Sequence, residues 1–482
     1  MHWGYMSKAL GGLFISVSMT MIFPIIAGLW YSDDSFGPLL KSMATGLTGG
    51  SILFAAGRKA QVVALGHREG MAIVTLGWIG AGILGALPFY FSRTLGSFVD
   101  CFFESVSGFT TTGASVLTDI ESVAPGILFW RSLTHWLGGM GIIVFSLAIL
   151  PFLGAGGMQL YKAEVPSPVP DKLRPRIRDT ALLLWKVYLL FTVLETVLLM
   201  FGGMNLFDAL CHTFGTLATG GFSTKNASIA HFRSAYVDAV IIFFMFVAGV
   251  NFSLHYQLLI GKPGRMFRDP EFRFFSALVL SFVVFTTLAV HGNVYSNLTE
   301  ALRYSLFQVI SIITTTGYAT ADYEAWPFLP QAILFISMFI GACAGSTGGG
   351  MKCMRVMLLL KHAYRELFRL IHPHGVSRIK LQGQQVSQDV LNSVLGFFVL
   401  YMLLYCLGVL LVAATGVDIL TSFASVAATI GNIGPGLGTV GPTENYFHMP
   451  YFAKGVLTFC MILGRLEIFT VIVLFVPEFW RK

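Results

Sequence analysis

The chain twice spells nearly the same small polar phrase, "GFTTTGAS" at 108–115 and "IITTTGYA" at 312–319, and two weaker copies appear in "LATGGFS" and "ATIGNIG". Aligned on glycine, the four cores read Thr111-Thr112-Gly113, Ala218-Thr219-Gly220, Thr315-Thr316-Gly317 and Thr429-Ile430-Gly431, with Asn432 following the last. The chemistry such residues offer is oxygen. A backbone that turns its carbonyls toward one axis passes through conformations that glycine tolerates and residues with a Cβ resist. Threonine adds a hydroxyl acceptor. Rings of backbone carbonyls can replace the hydration shell of a weakly hydrated monovalent cation.

One such phrase alone is an ordinary turn or a small-residue packing site. Four recurrences at about 97 to 114 residue intervals make an internal repeat. Each phrase ends an apolar stretch of about 12 to 17 residues, too short to cross a bilayer: "FVDCFFESVSGFTTTGAS", "LFDALCHTFGTLATGGFS", "LTEALRYSLFQVISIITTTGYA" and "VDILTSFASVAATIGNIG". Non-helical backbone at membrane depth is tolerated only where it is buried in protein or lines a watery path. Four re-entrant loops around one axis therefore predict a pore. The short helices before them should aim their negative C-terminal ends at it, which favours a cation. Asp100, Asp208 and Asp418, about 12 to 13 residues before the glycines, are expected to cap those helices.

Composition supplies the frame that holds these loops. Of 482 residues, 55% are hydrophobic and 11% charged, with mean hydropathy +0.73, where soluble domains carry roughly a quarter charged residues. This is an all-α polytopic membrane protein. The opening "MHWGYMSKALGGLF" is expected to be a retained helix and not a cleaved signal. Ten spans are predicted, near 8–30, 38–57, 70–92, 127–150, 181–203, 235–259, 273–291, 329–359, 390–414 and 455–478. With the N-terminus inside, about 23 of the 31 lysines and arginines fall on the inner face and about 7 on the outer, so both termini are expected in the cytoplasm. The predicted fold is ten transmembrane helices with four re-entrant pore loops in a pseudo-fourfold arrangement like that of a potassium channel. Its units are two N-terminal helices (1–69) and four helix/pore-loop/helix repeats (70–180, 181–270, 271–388 and 389–482).

Two features depart from this frame. The eighth span is interrupted by "GACAGSTGGGMK", 341–352. A phosphate-binding loop needs Gly-Lys-Ser/Thr after a strand, and neither is present. The alternatives are a packing kink or a broken helix whose loop lies under the filter and closes the pore. Arg465, in "CMILGRLEIFTVIVLF", costs roughly 2.5 to 17 kcal/mol inside a bilayer unless it meets a partner or water. It either pairs with a carboxylate of another helix such as Glu195, or faces the pore below the filter and limits cation occupancy.

The whole pattern resembles the Trk/Ktr/HKT superfamily of potassium transport proteins, over about residues 70–478, and the two extra N-terminal helices look like the Trk type. The resemblance implies potassium uptake across the bacterial inner membrane by a homodimer in which each chain has its own pore. It implies K+ as cargo, no organic cofactor, no enzymatic activity, and a TrkA-type cytosolic ring that binds adenine or dinucleotide ligands as regulatory partner. It places the filter glycines at Gly113, Gly220, Gly317 and Gly431, with ion-binding carbonyls just before them, and the gate at Gly345, Ser346, Thr347, Gly348, Gly349 and Gly350. It also carries an arginine at the position of Arg465. The fourth repeat departs most, with Ile430 and Asn432 flanking its glycine and "GPGLG" after it.

Rival functions find less support. A secondary carrier typically uses two inverted repeats, whereas these four share one orientation. A proton-coupled potassium symporter is the remaining alternative, with Glu104 or Glu195 as relay. Asp119, Glu121, Asp322 and Glu324 are expected to line an outer mouth that attracts cations, and nothing suggests nucleic-acid binding. His135 and Trp136 fit an interfacial anchor. The six cysteines fit buried small apolar residues, and "HPHG" at 372–375 is too little for a metal site.

Overall fold

The computed structural model describes residues 1–60, 66–139, 177–373, 375, 378–381 and 384–481. Six helices among them are long and apolar enough to span a membrane: Trp3–Tyr31, Phe36–Ala56, Arg68–Phe91, Thr180–Phe201, Pro270–Val290 and Gln388–Ala413. Their outward sides stay apolar, as Phe201, Leu288 and Leu410 show at 80%, 66% and 68% exposure. A helix that is hydrophobic all round belongs in lipid. The first span and Phe36–Ala56 lie antiparallel in close contact, because Gly11 and Gly50 let the backbones approach: a Cβ at Gly11 would stand 2.4 Å from the Phe54 nitrogen.

Four shorter helices punctuate the chain: Phe98–Phe109, Leu206–Leu217, Leu298–Ile313 and Ile419–Ile430. Their 12 to 16 residues rise only about 18 to 24 Å, against a hydrocarbon core of about 30 Å. Each is almost wholly buried along its second half. Their N-caps are Ser97, Asn205, Asn297 and Asp418, each accepting a backbone N–H from the first turn. Of the three aspartates expected as caps, only Asp418 is one. Asp100 and Asp208 sit three residues inside, where Ser97 and Asn205 donate to them at 2.8 and 3.0 Å. An acid in the first turn is favoured there by the helix dipole.

Breaks in the long helices are more frequent than expected. The predicted sixth span is two helices, Ala235–Ala248 and Phe252–Leu259, bent by 104°, and the tenth is Tyr451–Arg465 and Phe469–Phe475, bent by 112°. The eighth divides into Phe328–Ser337 and Cys353–Ile371 around the glycine-rich stretch. The fourth is described only as Pro125–Gly139, and the basic segment holding Lys162 to Arg176 lies outside the described residues. Hydropathy reads through the sixth and tenth breaks because Val250 and Ile468 are themselves apolar. What turns the chain there is Asn251, whose side chain caps Phe252–Leu259, and left-handed backbone at Glu467 and Ile468.

Candidate functional site

All four short helices end in the same backbone motif. The residue after each C-cap is left-handed: Thr111, Thr219, Thr315 and Asn432, at φ between 53° and 61°. Its N–H bonds back three residues, to the carbonyls of Gly108, Thr216, Ile312 and Thr429. The next N–H, from Thr112, Gly220, Thr316 or Ile433, bonds back five, to Ser107, Gly215, Ser311 or Ala428, at 2.8 to 2.9 Å. This is the Schellman termination, which ordinarily takes glycine at the left-handed position. A threonine there is a strained choice that functional sites retain.

One residue further on stands a left-handed glycine: Gly113, Gly221, Gly317 and Gly434. A Cβ on Gly113 would lie 2.0 Å from the Gly220 carbonyl oxygen, on Gly221 2.0 Å from that of Thr316, on Gly317 2.0 Å from that of Ile433, and on Gly434 2.6 Å from that of Thr112. Each glycine thus abuts the carbonyl of the next repeat, and the fourth returns to the first. The loops close a ring. This geometry corrects the alignment made on sequence. The equivalents of Gly113 and Gly317 are Gly221 and Gly434, not Gly220 and Gly431. Gly431 is the C-cap of its helix, Ala218 is the C-cap of the second, and Thr429 and Ile430 are helical. Two adjacent glycines in the second phrase and two spaced ones, Gly431 and Gly434, in the fourth gave the alignment a choice. Asn432 held the missing signal, since asparagine tolerates the left-handed region and the ring glycine follows it by two.

Carbonyls at and beyond the ring glycines are engaged elsewhere. The hydroxyl of Ser311 donates to Tyr318 O at 2.6 Å, that of Tyr446 to Gly434 O at 2.7 Å, that of Tyr323 to Gly436 O at 2.8 Å, and Arg131 Nη1 to Ser223 O at 2.9 Å. The ring is therefore short. Arg131 also pairs with Glu104 at 2.6 Å, both buried, while the other Glu104 oxygen accepts from Val116 N at 2.8 Å. His135 is fully buried, with Nδ1 2.7 Å from Gly108 O and Nε2 accepting from Phe222 N at 3.2 Å. It braces two loops and is not an interfacial anchor. Asp100 and Asp208 are bound as well, to Lys454 Nζ at 2.6 Å and Thr224 Oγ1 at 2.6 Å.

On the helix side of the ring lies the stretch 341–352. Its base is closed by Gly341 N to Met351 O at 2.8 Å and Cys353 N to Ala342 O at 3.1 Å. Thr347 Oγ1 sits 2.9 Å from Leu217 O and 3.2 Å from Ala248 O, and Gly349 N donates to Thr315 Oγ1 at 2.7 Å. Cβ atoms on Gly348 and Gly349 would approach Thr314 O and Gly431 O at 3.1 and 2.7 Å. The stretch thus meets the ends of the second, third and fourth pore helices. Gly345 accepts from Phe252 N at 3.0 Å, and Ser346 Oγ donates to Cys343 O. Gly345 and Gly350 are left-handed, which is where glycine is required.

Arg465 reaches the first loop. Its Nη1 donates to Thr347 O at 2.8 Å and Thr111 Oγ1 at 3.1 Å, and its Nη2 to Gly139 O at 3.0 Å and to Gly138 O. None of these contacts involves Glu195. Beside it, Lys352 Nζ donates to Gly348 O, and Arg355 pairs with Glu467.

The outer acids are tied to loop groups, Asp119 to the side-chain amide of Asn226 and the others to backbone N–H. Asp119 and Glu121 accept from Asn226 at 2.9 and 3.2 Å, Asp322 from Glu324 N at 3.0 Å, and Glu324 from Gly438 N. Five of the six cysteines are buried, as expected, and Cys406 is exposed on an outward helix face. Among the described residues no cluster of His, Cys, Asp or Glu could hold a metal ion, and His374 lies outside them.

Known proteins share this arrangement. A sequence model of the TrkH family, described as cation transport protein, matches residues 40–482. The chain is 45% identical over 486 residues to the "Trk system potassium uptake protein TrkH" of Escherichia coli (strain K12), covering 100% of both. It is 37% identical over 470 residues to the TrkG protein of the same organism, covering 96% of each. The fold superimposes on the crystal structure of the potassium transporter TrkH from Vibrio parahaemolyticus with a TM-score of 0.89 at 38% identity, across 100% of both chains.

Proposed function

Because the chain belongs to the TrkH family of cation transport proteins, we propose that it carries potassium into the cell across the bacterial inner membrane, with both termini cytoplasmic. The observation that carries this reading is the closed ring, in which each loop's glycine abuts the next loop's carbonyl. The carbonyls of Thr112, Gly220, Thr316 and Ile433, with those of Thr111, Thr219, Thr315 and Asn432 one residue before, are the oxygens that replace the water of a dehydrated K+ ion. The four helix ends that meet there add negative potential. Gly345 to Gly350 form the gate, and Arg465 places a fixed positive charge below the ring that lowers cation occupancy. The molecule works as a homodimer with one pore per chain, and a TrkA-type nucleotide-binding ring controls it from the basic cytoplasmic face.

The test is flux of K+, Rb+ and Na+ in reconstituted liposomes, with and without a pH gradient. A filter with few oxygen layers should distinguish K+ from Rb+ poorly and leak some Na+, being shorter and less uniform than the TVGYG ring of tetrameric channels. Saturable K+ transport that requires a proton gradient would establish the symporter alternative instead. Glu104 is a poor relay for it, because both its oxygens are occupied; that leaves Glu195.

A further inference from the structure

The glycine-rich stretch is anchored at both ends by one side chain from a different helix. Glu271, in the first turn of Pro270–Val290, is 3% exposed. Its Oε1 accepts from Ala344 N at 2.7 Å and from Met354 N at 2.9 Å. These two amides lie on either side of Gly345 to Gly350. Met354 also belongs to the first turn of Cys353–Ile371, where Lys352 stands at the N-cap position without a side-chain cap. Orphan N–H groups at a helix start need an acceptor, and a carboxylate is the best one. Asp269 fixes the anchor in turn, capping the helix that bears Glu271 through Phe272 N at 2.8 Å.

We propose that Glu271 is the positioning residue of the gate, clamping the entry and exit of the loop to the first helix of the third repeat so that only the tip moves when the pore opens. The proposal rests on the reading of Gly345 to Gly350 as a gate. The tip is held by separate contacts, from Thr347, to Thr315, and from the Arg465 and Lys352 cations to the Thr347 and Gly348 carbonyls, whereas both ends of the loop are tied to the single buried carboxylate of Glu271. The tip contacts can part while that one group keeps the two ends together.

Rubidium flux into liposomes tests this with three variants. Glu271→Ala removes both hydrogen bonds and should raise basal flux at least roughly tenfold, the factor expected for losing one charge-assisted hydrogen bond, with the K+ to Na+ ratio unchanged. Glu271→Gln keeps an amide oxygen that can accept both N–H groups but loses the charge, and should fall between wild type and Glu271→Ala. Met354→Pro deletes one donor at a helix position where proline is tolerated, so it should reproduce the rise even if Glu271→Ala fails to fold. Wild-type flux in folded Met354→Pro or Glu271→Ala overturns the clamp, as does an altered ion ratio. Deletion of residues 345–350 separates the premise from the proposal. If the deletion leaves flux unchanged, the gate reading fails. If it raises flux while the clamp variants do not, the clamp alone fails.

Discussion

The ring and the loop beneath it are both irregular backbone inside a membrane, yet they are held in opposite ways. Each ring segment is fixed by its own helix, through the same pair of bonds reaching back three and five residues, written four times. The loop at 341–352 occurs once and is fixed by distant partners: Leu217, Ala248, Thr315, Glu271 and Arg465. Locally closed structure survives movement of its neighbours. A segment whose tip is held by tertiary contacts can be released by shifting them. The contrast fits a rigid selective element above a displaceable one.

The sharpest way to break that contrast is to strike the ring glycines. Gly434→Ala should abolish selective rubidium uptake, because a left-handed Cβ costs about 1–2 kcal/mol and would also press on Thr112 O at 2.6 Å. Gly431→Ala is the control. Gly431 has right-handed backbone and faces Met338 O and the glycine-rich loop at Gly349, so its substitution should change the rate of flux and leave the K+ to Na+ ratio intact. Equal loss of selectivity in both variants would contradict the assignment of Gly434 to the ring.

Arg465 joins the two regions, and its removal should have the next largest effect. Arg465→Ala takes away a positive charge below the ring and the donor that holds Thr347 O, so K+ flux should rise severalfold at unchanged selectivity. Arg465→Lys keeps the charge but cannot span Thr111, Thr347 and the Gly138 and Gly139 carbonyls from one planar fork. It should fall between the two. Liposome flux of the three proteins side by side checks the order, and Lys behaving as Ala would assign the effect to geometry alone.

The same division decides what the sequence made legible. Threonine, glycine and a truncated apolar run recur because the Schellman ending is a local code, so the four loops and their pore could be found without coordinates. Their register could not. The left-handed position is filled by Thr111, Thr219 and Thr315, residues that a conformational argument would place elsewhere, and surplus glycines beside Gly221 and Gly434 offered easier alignments. The glycine-rich break announced itself by composition, but its attachments at Leu217, Ala248 and Glu271 leave no pattern along the chain. The bends at Asn251 and Ile468 were hidden for the same reason: hydropathy records what lipid tolerates, and a kink buried against a neighbour changes nothing in that count.

The smallest expected effect falls where ring and loop touch. Thr315 and Thr219 occupy equivalent left-handed positions, yet their hydroxyls do different things: Thr315 Oγ1 accepts from Gly349 N at 2.7 Å, whereas Thr219 Oγ1 donates to the adjacent Ala218 O. Thr315→Val keeps shape and backbone but leaves a buried N–H of the closed loop without an acceptor, at a cost of about 1–3 kcal/mol. That cost falls on the closed state alone, because a displaced loop returns Gly349 to water. Basal flux should therefore rise by a factor of about 5 to 150, with the ion ratio unchanged. Thr219→Val removes a bond within one repeat and should leave flux where it is. The pair asks whether the strained threonines serve the ring or the loop beneath it. If both substitutions change the K+ to Na+ ratio and neither changes the basal rate, the hydroxyls belong to ion selection, and the loop does not use Thr315 as its seat.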